Sequence, residues 1–138
     1  MYSPALLHHR EWHRRTENKG PGLDIYHIWC ELAEGVGDVE FADACHAFCA
    51  ALRATGALAG HRVTRRKLGL GPADVPEWHI MLEFTSLAQL DEAFHGAARR
   101  QDPLESFHHA VNSRVRSVRF ALYRDFPDAH RVRGEERF

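Results

Sequence analysis

No apolar run in the sequence approaches the ~20 residues that a membrane-spanning helix needs. The opening residues, Met1-Tyr2-Ser3-Pro4 and onward, lack the charged, apolar and small-residue order of a secretory leader. A cytoplasmic protein with no membrane partner is therefore expected. Net charge is nearly absent as well: 18 Lys and Arg against 19 Asp and Glu leave −1, so no global field draws the chain onto nucleic acid. Its one basic run, Arg62, Arg65, Arg66 and Lys67, has no interleaved aromatics on which bases could stack. Cysteine is scarce, with Cys30, Cys45 and Cys49 forming no Cys-x-x-Cys. Each falls on an apolar face, which reads as a buried thiol rather than a redox or metal ligand. Neither Gly-x-Ser-x-Gly nor His-Glu-x-x-His occurs, and Gly69-Leu70-Gly71-Pro72 lacks the lysine of a phosphate loop.

What is plentiful is histidine, 11 in 138 residues. The length suits one domain that buries a core without a metal or disulfide. Residues 1–23 are rich in His and Arg and end in the breaker Lys19-Gly20-Pro21-Gly22, so they read as a solvated arm outside the core. Residues 128–138 read as a charged tail, leaving 24–127 as the domain.

Within that domain Tyr26, Ile28, Cys30 and Leu32 alternate with Ile25, His27, Trp29 and Glu31 over 24–32, a strand with one apolar and one mixed face. Asp38 can cap a helix whose inner stripe is Phe41, Cys45, Phe48, Cys49 and Leu52, and Gly56 stops it. A basic strand over 59–68 suits a sheet edge. A third strand, 77–84, turns Trp78, Ile80, Leu82 and Phe84 one way and His79, Met81 and Glu83 the other. Ser86 and Gln89 form a capping box for a helix carrying Leu87, Leu90 and Phe94. Asp102-Pro103 starts a shorter one with Leu104, Phe107 and Val111 inward. The last strand, 114–123, alternates Val118, Phe120 and Leu122 with Ser117, Arg119, Ala121 and Tyr123.

Two βαβ halves with right-handed crossovers give an α+β, ferredoxin-like βαββαβ fold, an antiparallel sheet in the order 4-1-3-2 with both helices on one face. The helices are expected to cover Ile28, Cys30, Ile80, Leu82, Phe120 and Leu122. The opposite face, with a tryptophan and a methionine at its centre, makes a poor solvent surface.

With this layout, the strand texts Ile-Tyr-His-Ile-Trp-Cys and Glu-Trp-His-Ile-Met-Leu-Glu-Phe resemble the dimeric α/β-barrel superfamily, whose members set two such sheets face to face. The segments Thr-Arg-Arg-Lys-Leu-Gly-Leu-Gly-Pro, His-His-Ala-Val-Asn-Ser and Ala-Leu-Tyr-Arg-Asp-Phe-Pro-Asp are similar to those of a small group of uncharacterised bacterial proteins. The resemblance covers roughly residues 24–128. It implies a homodimer that binds a small apolar or aromatic molecule. The superfamily contains cofactor-independent monooxygenases, isomerase-like enzymes and haem enzymes, together with stress-responsive proteins of no known activity. An alternative is therefore a non-catalytic binding or stress-response protein whose mixed face is only a dimer interface.

Centre-to-centre matching of the first and third strands sets Trp29 opposite Met81, His27 opposite Glu83 and Glu31 opposite His79. The two His-Glu pairs could supply a general acid or base, with no metal and no cofactor, and Trp29 and Met81 an apolar floor for substrate. The competing interpretation is cross-strand pairing that merely satisfies a polar face. Arg119 and Tyr123 are placed to bind substrate from the last strand. Adjacent on a helix, His108 and His109 point about 100° apart. One of them would face a cavity, where haem ligation is the alternative to a surface role.

Overall fold

The structure, a computed structural model, describes residues 22–98 and 104–127. Its elements are β1 (Asp24–Leu32), α1 (Asp38–Ala54), β2 (Gly60–Arg65), β3 (Trp78–Phe84), α2 (Leu87–Ala98), α3 (Leu104–Asn112) and β4 (Val115–Arg124). The four strands form one antiparallel sheet ordered β2-β3-β1-β4, the expected order read from the other edge. The expected tail lies outside the described residues, as does the arm up to residue 21.

Period-two alternation in β1 and β3 sends one set of side chains under the helices. Cys30, Trp78, Ile80, Leu82 and Phe84 are buried there against Phe41, Cys45, Cys49 and Leu52 of α1. Full burial of one such aliphatic or aromatic side chain is worth about 1.5–3 kcal/mol, so this layer carries most of the stability. Basic β2 lies at an edge as expected, where Arg65 pairs with Asp38 and Glu77 and covers the Trp78 ring.

Helix starts follow local hydrogen-bonding chemistry. Gly37, not Asp38, is the N-cap of α1, and the Glu40 carboxylate accepts from the Gly37 N–H. Asp38 lies one residue further in, where its negative charge still complements the helix dipole. Ser86 Oγ accepts from Gln89 N while the Gln89 side chain reaches back to Thr85 N, a capping box displaced by one residue on its return arm.

The expectation that helices cover β4 fails. They lie over β2, β3 and the centre of the sheet, leaving Phe120 58% and Leu122 48% exposed on the helix side. Alternation decides which face a residue occupies but not how far the covering layer extends. A bulge interrupts β4: Cys30 pairs with Val118 and Glu31 with Arg116, so Ser117, at φ 56°, is the additional residue.

Candidate functional site

The register of β1 against β3 differs by two residues from centre-to-centre matching. His27 stands opposite Met81, Trp29 opposite His79 and Ile25 opposite Glu83. A slip of two preserves each face and dissolves both proposed His-Glu pairs. His27 Nδ1 instead lies 2.8 Å from His79 Nε2. The Glu31 carboxylate accepts from the Glu77 N–H. Glu83 stands across from Gly60 at the β2 edge.

The mixed face is nonetheless assembled. Trp29 stacks on His79 at 4.6 Å, His27 lies near parallel to both, and the Tyr123 ring meets His27 edge-on at 4.8 Å. Arg119, across from Trp29, donates to the Asp74 carbonyl and ties β4 to the connection between β2 and β3. Burial lowers the pKa of His27 and of His79, and on His79 the neighbouring His27 adds to the effect. Nε2 of His27 is buried with no hydrogen-bond partner among the described residues. This face therefore holds two neutral imidazoles joined by one shared proton, with no carboxylate bonded to either among the described residues.

On the opposite face, between sheet and helices, is a cavity of about 300 Å³. None of the eight expected site residues lines it. Its mouth is aromatic: Tyr26 stacks on Phe120 at 5.6 Å and meets Phe94 edge-on at 5.1 Å. Desolvation raises the Tyr26 pKa. Deeper in are the three thiols. Burial, with Glu31 adding to it, pushes Cys30 up to about 11. Burial pushes Cys45 and Cys49 up to about 12, the other two thiols adding to the effect on Cys45. Such groups are protonated, inert wall.

The described lining also includes His108 and Asn112 of α3, their Nε2 and Nδ2 atoms 3.2 Å apart. His108 faces the cavity beside Phe48, while His109 is exposed. The sequence held a signal for this choice, since Leu104, His108 and Val111 are spaced i, i+4, i+7 on one helical stripe. Asn112 and the aromatic mouth carried no such signal. For the two propionates of a haem, the described residues of the lining offer neither Lys nor Arg. No group of three His, Cys, Asp or Glu converges on a metal-binding point among the described residues. None of the described helices is long and apolar enough to cross a membrane.

A four-stranded antiparallel sheet in this order with helices on one face defines a ferredoxin-like α+β protein, and solved structures agree. The chain is similar to a dimeric ferredoxin-like protein of unknown function from Jannaschia sp. CCS1, with 10% identity, TM-score 0.56 and coverage of 73% of this chain and 97% of that one. Similar too is SnoaB, a cofactor-independent oxygenase from Streptomyces nogalater (10% identity, TM-score 0.54, 84% and 100% covered). A third is the hydroxynitrile lyase from Passiflora edulis (14%, 0.55, 76% and 94%). No curated protein matches the chain in sequence. Within this fold class the chain belongs to the family of unknown function DUF6614, whose pattern matches residues 23–138.

Proposed function

We propose that the chain is a small-molecule-binding homodimer, in which the ligand enters the helix-side cavity along β4 and a second copy closes the mixed face to form a dimeric α/β barrel. The observation that carries the reading is the cavity of about 300 Å³, at the lower end of ligand-site sizes. Its open side is bordered by a strand whose apolar residues the helices leave bare. In support of the second copy, the Trp29, Met81 and His79 face has no covering layer among the described residues, and Tyr123 is 60% exposed at its border. Fold neighbours from Jannaschia and Thermobifida fusca are described as dimeric.

In this reading His27, His79, Glu31, Glu83, Trp29, Met81, Arg119 and Tyr123 belong to the seam between two sheets. His108 is then the cavity's candidate acid or base. The finer reading, a monooxygenase- or isomerase-like enzyme, draws its support from the oxygenase and lyase fold neighbours. A second reading puts the site on the mixed face, favoured by the unpartnered His27 Nε2.

Titration with the neutral fluorophore N-phenyl-1-naphthylamine separates the readings. The expected result is one equivalent bound per chain, weakened at least tenfold by Val118→Trp at the cavity mouth and unchanged by His27→Phe. The reverse pattern moves the site to the mixed face, and no binding overturns both. In sedimentation at micromolar concentration the protein should run at twice the chain mass and Met81→Lys at the chain mass. A monomeric wild type overturns the dimer.

A further inference from the structure

The cavity's chemistry also constrains its ligand, an inference that rests on the helix-side cavity being the binding site. We infer that the cavity selects an uncharged ring compound bearing one hydrogen-bond-accepting oxygen, and that His108, oriented by Asn112, recognises that oxygen.

Charge is the first constraint. Among the described residues no Lys, Arg, Asp or Glu lines the cavity, and the three thiols are held protonated by burial. A carboxylate or phosphate carried in would lose its hydration without meeting a fixed countercharge, a cost of several kcal/mol per ion. Shape is the second. The rings of Tyr26, Phe94 and Phe120 at the mouth and of Phe48 beside His108 offer faces and edges to a flat ligand. A space of about 300 Å³ suits one of two or three rings.

Polarity is the third. An amide nitrogen only donates, so the contact from Asn112 Nδ2 to His108 Nε2 makes Nε2 the acceptor and puts the ring proton on Nδ1. His108 Nδ1–H makes no hydrogen bond among the described residues, which leaves it as the donor for a ligand carbonyl or ether. A site that presents this donor discriminates against an analogue that lacks the matching acceptor.

Three naphthalene probes of similar size test this by equilibrium dialysis against the full chain at pH 7.5: 2-acetylnaphthalene, its hydrocarbon counterpart 2-isopropenylnaphthalene, and 2-naphthoate. The ketone is expected to bind about tenfold tighter than the hydrocarbon, and the carboxylate at least about a hundredfold weaker than the ketone. In His108→Phe the ketone's advantage should vanish while hydrocarbon affinity stays within about twofold. Asn112→Ala, an exposed position that tolerates truncation, should reduce the advantage severalfold because the ring is no longer held, and it serves if His108→Phe does not fold. If 2-naphthoate binds as well as the ketone, or if the ketone's advantage survives both variants, the inference falls while the cavity stands. If none of the three binds, the binding-site reading itself falls.

Discussion

His27 and His79 face each other edge to edge, Nδ1 to Nε2 at 2.8 Å, with ring planes 22° apart and centroids separated by 5.1 Å. That separation, at so short a contact, sets the rings nearly in line rather than one over the other, the geometry of a straight N–H···N bond. One proton serves the contact, and a further proton would bring a positive charge with no carboxylate bonded to the pair among the described residues.

Acid should therefore destabilise the protein. The folded pKa values of His27 and His79 are lowered by burial, and that of His61, paired with His46 at 2.8 Å, is lowered too. The unfolded chain takes up protons near the ordinary imidazole value of ~6.5, so below it the unfolded state binds more protons than the folded one. Stability is full above that value and declines as pH falls through it toward the lowered folded values. Urea midpoints at pH 7.5, 6.5 and 5.5, at fixed protein concentration, should decrease in that order. The double variant His27→Phe, His79→Phe should flatten the trend, leaving the His61 contribution. An unchanged slope in that variant would show that the pair is not its source.

Thiol chemistry should be slow in the native state. With Cys30 at about 11 and Cys45 and Cys49 at about 12, the thiolate fraction at pH 8 is about 100- to 1000-fold below that of an ordinary cysteine. Alkylation by iodoacetamide, followed by intact mass, should proceed at least about 100-fold slower than with glutathione and reach all three sites only after denaturation. Rapid single-site labelling would show that one thiol is activated.

Asp24, 5% exposed, is paired with Arg124 directly across the β1–β4 ladder at 2.6 Å. Arg124→Met strands a buried carboxylate and should cost about 1–3 kcal/mol in denaturant unfolding. Asp24→Asn should soften that loss, and a double-mutant cycle should return a favourable coupling. A coupling of zero would make the contact ornamental.

Ser117 occupies the left-handed region at φ 56°. Ser117→Gly should be neutral or stabilising, by up to about 1 kcal/mol, and Ser117→Val destabilising by about 1–2 kcal/mol. Equal midpoints for Gly and Val would mean that the backbone relaxes to another conformation.

Much of this architecture was legible in the sequence because alternation and stripe spacing are local. The 24–32 strand matches β1, and Trp78, Ile80, Leu82 and Phe84 all turn inward together. Register is a relation between two strands, and no pattern within either one fixes it. Centre-to-centre matching assumed that the mixed stretches share a midpoint. In the fold Ile28 stands opposite Ile80, and Glu31 runs past the paired end of β3 to the Glu77 amide. The cavity was illegible for a related reason: it exists because the helices stop short of β4, and the extent of a covering layer is tertiary information. His108 was within reach, since its stripe is local, but adjacency with His109 hid it.

The bulge at Ser117 acts as a phase shift in the strand. Val115 and Val118 both line the cavity, although side chains three apart in an unbroken strand point to opposite sides. One inserted residue resets the count, so that Arg116 is carried outward across from Glu31. Pairing Ser117 with Glu31 in an unbroken ladder would exchange the two neighbours before it, setting a guanidinium into the hydrocarbon wall and a valine among the polar groups outside. A single position with almost no side chain thus decides which of its neighbours a bound molecule would meet.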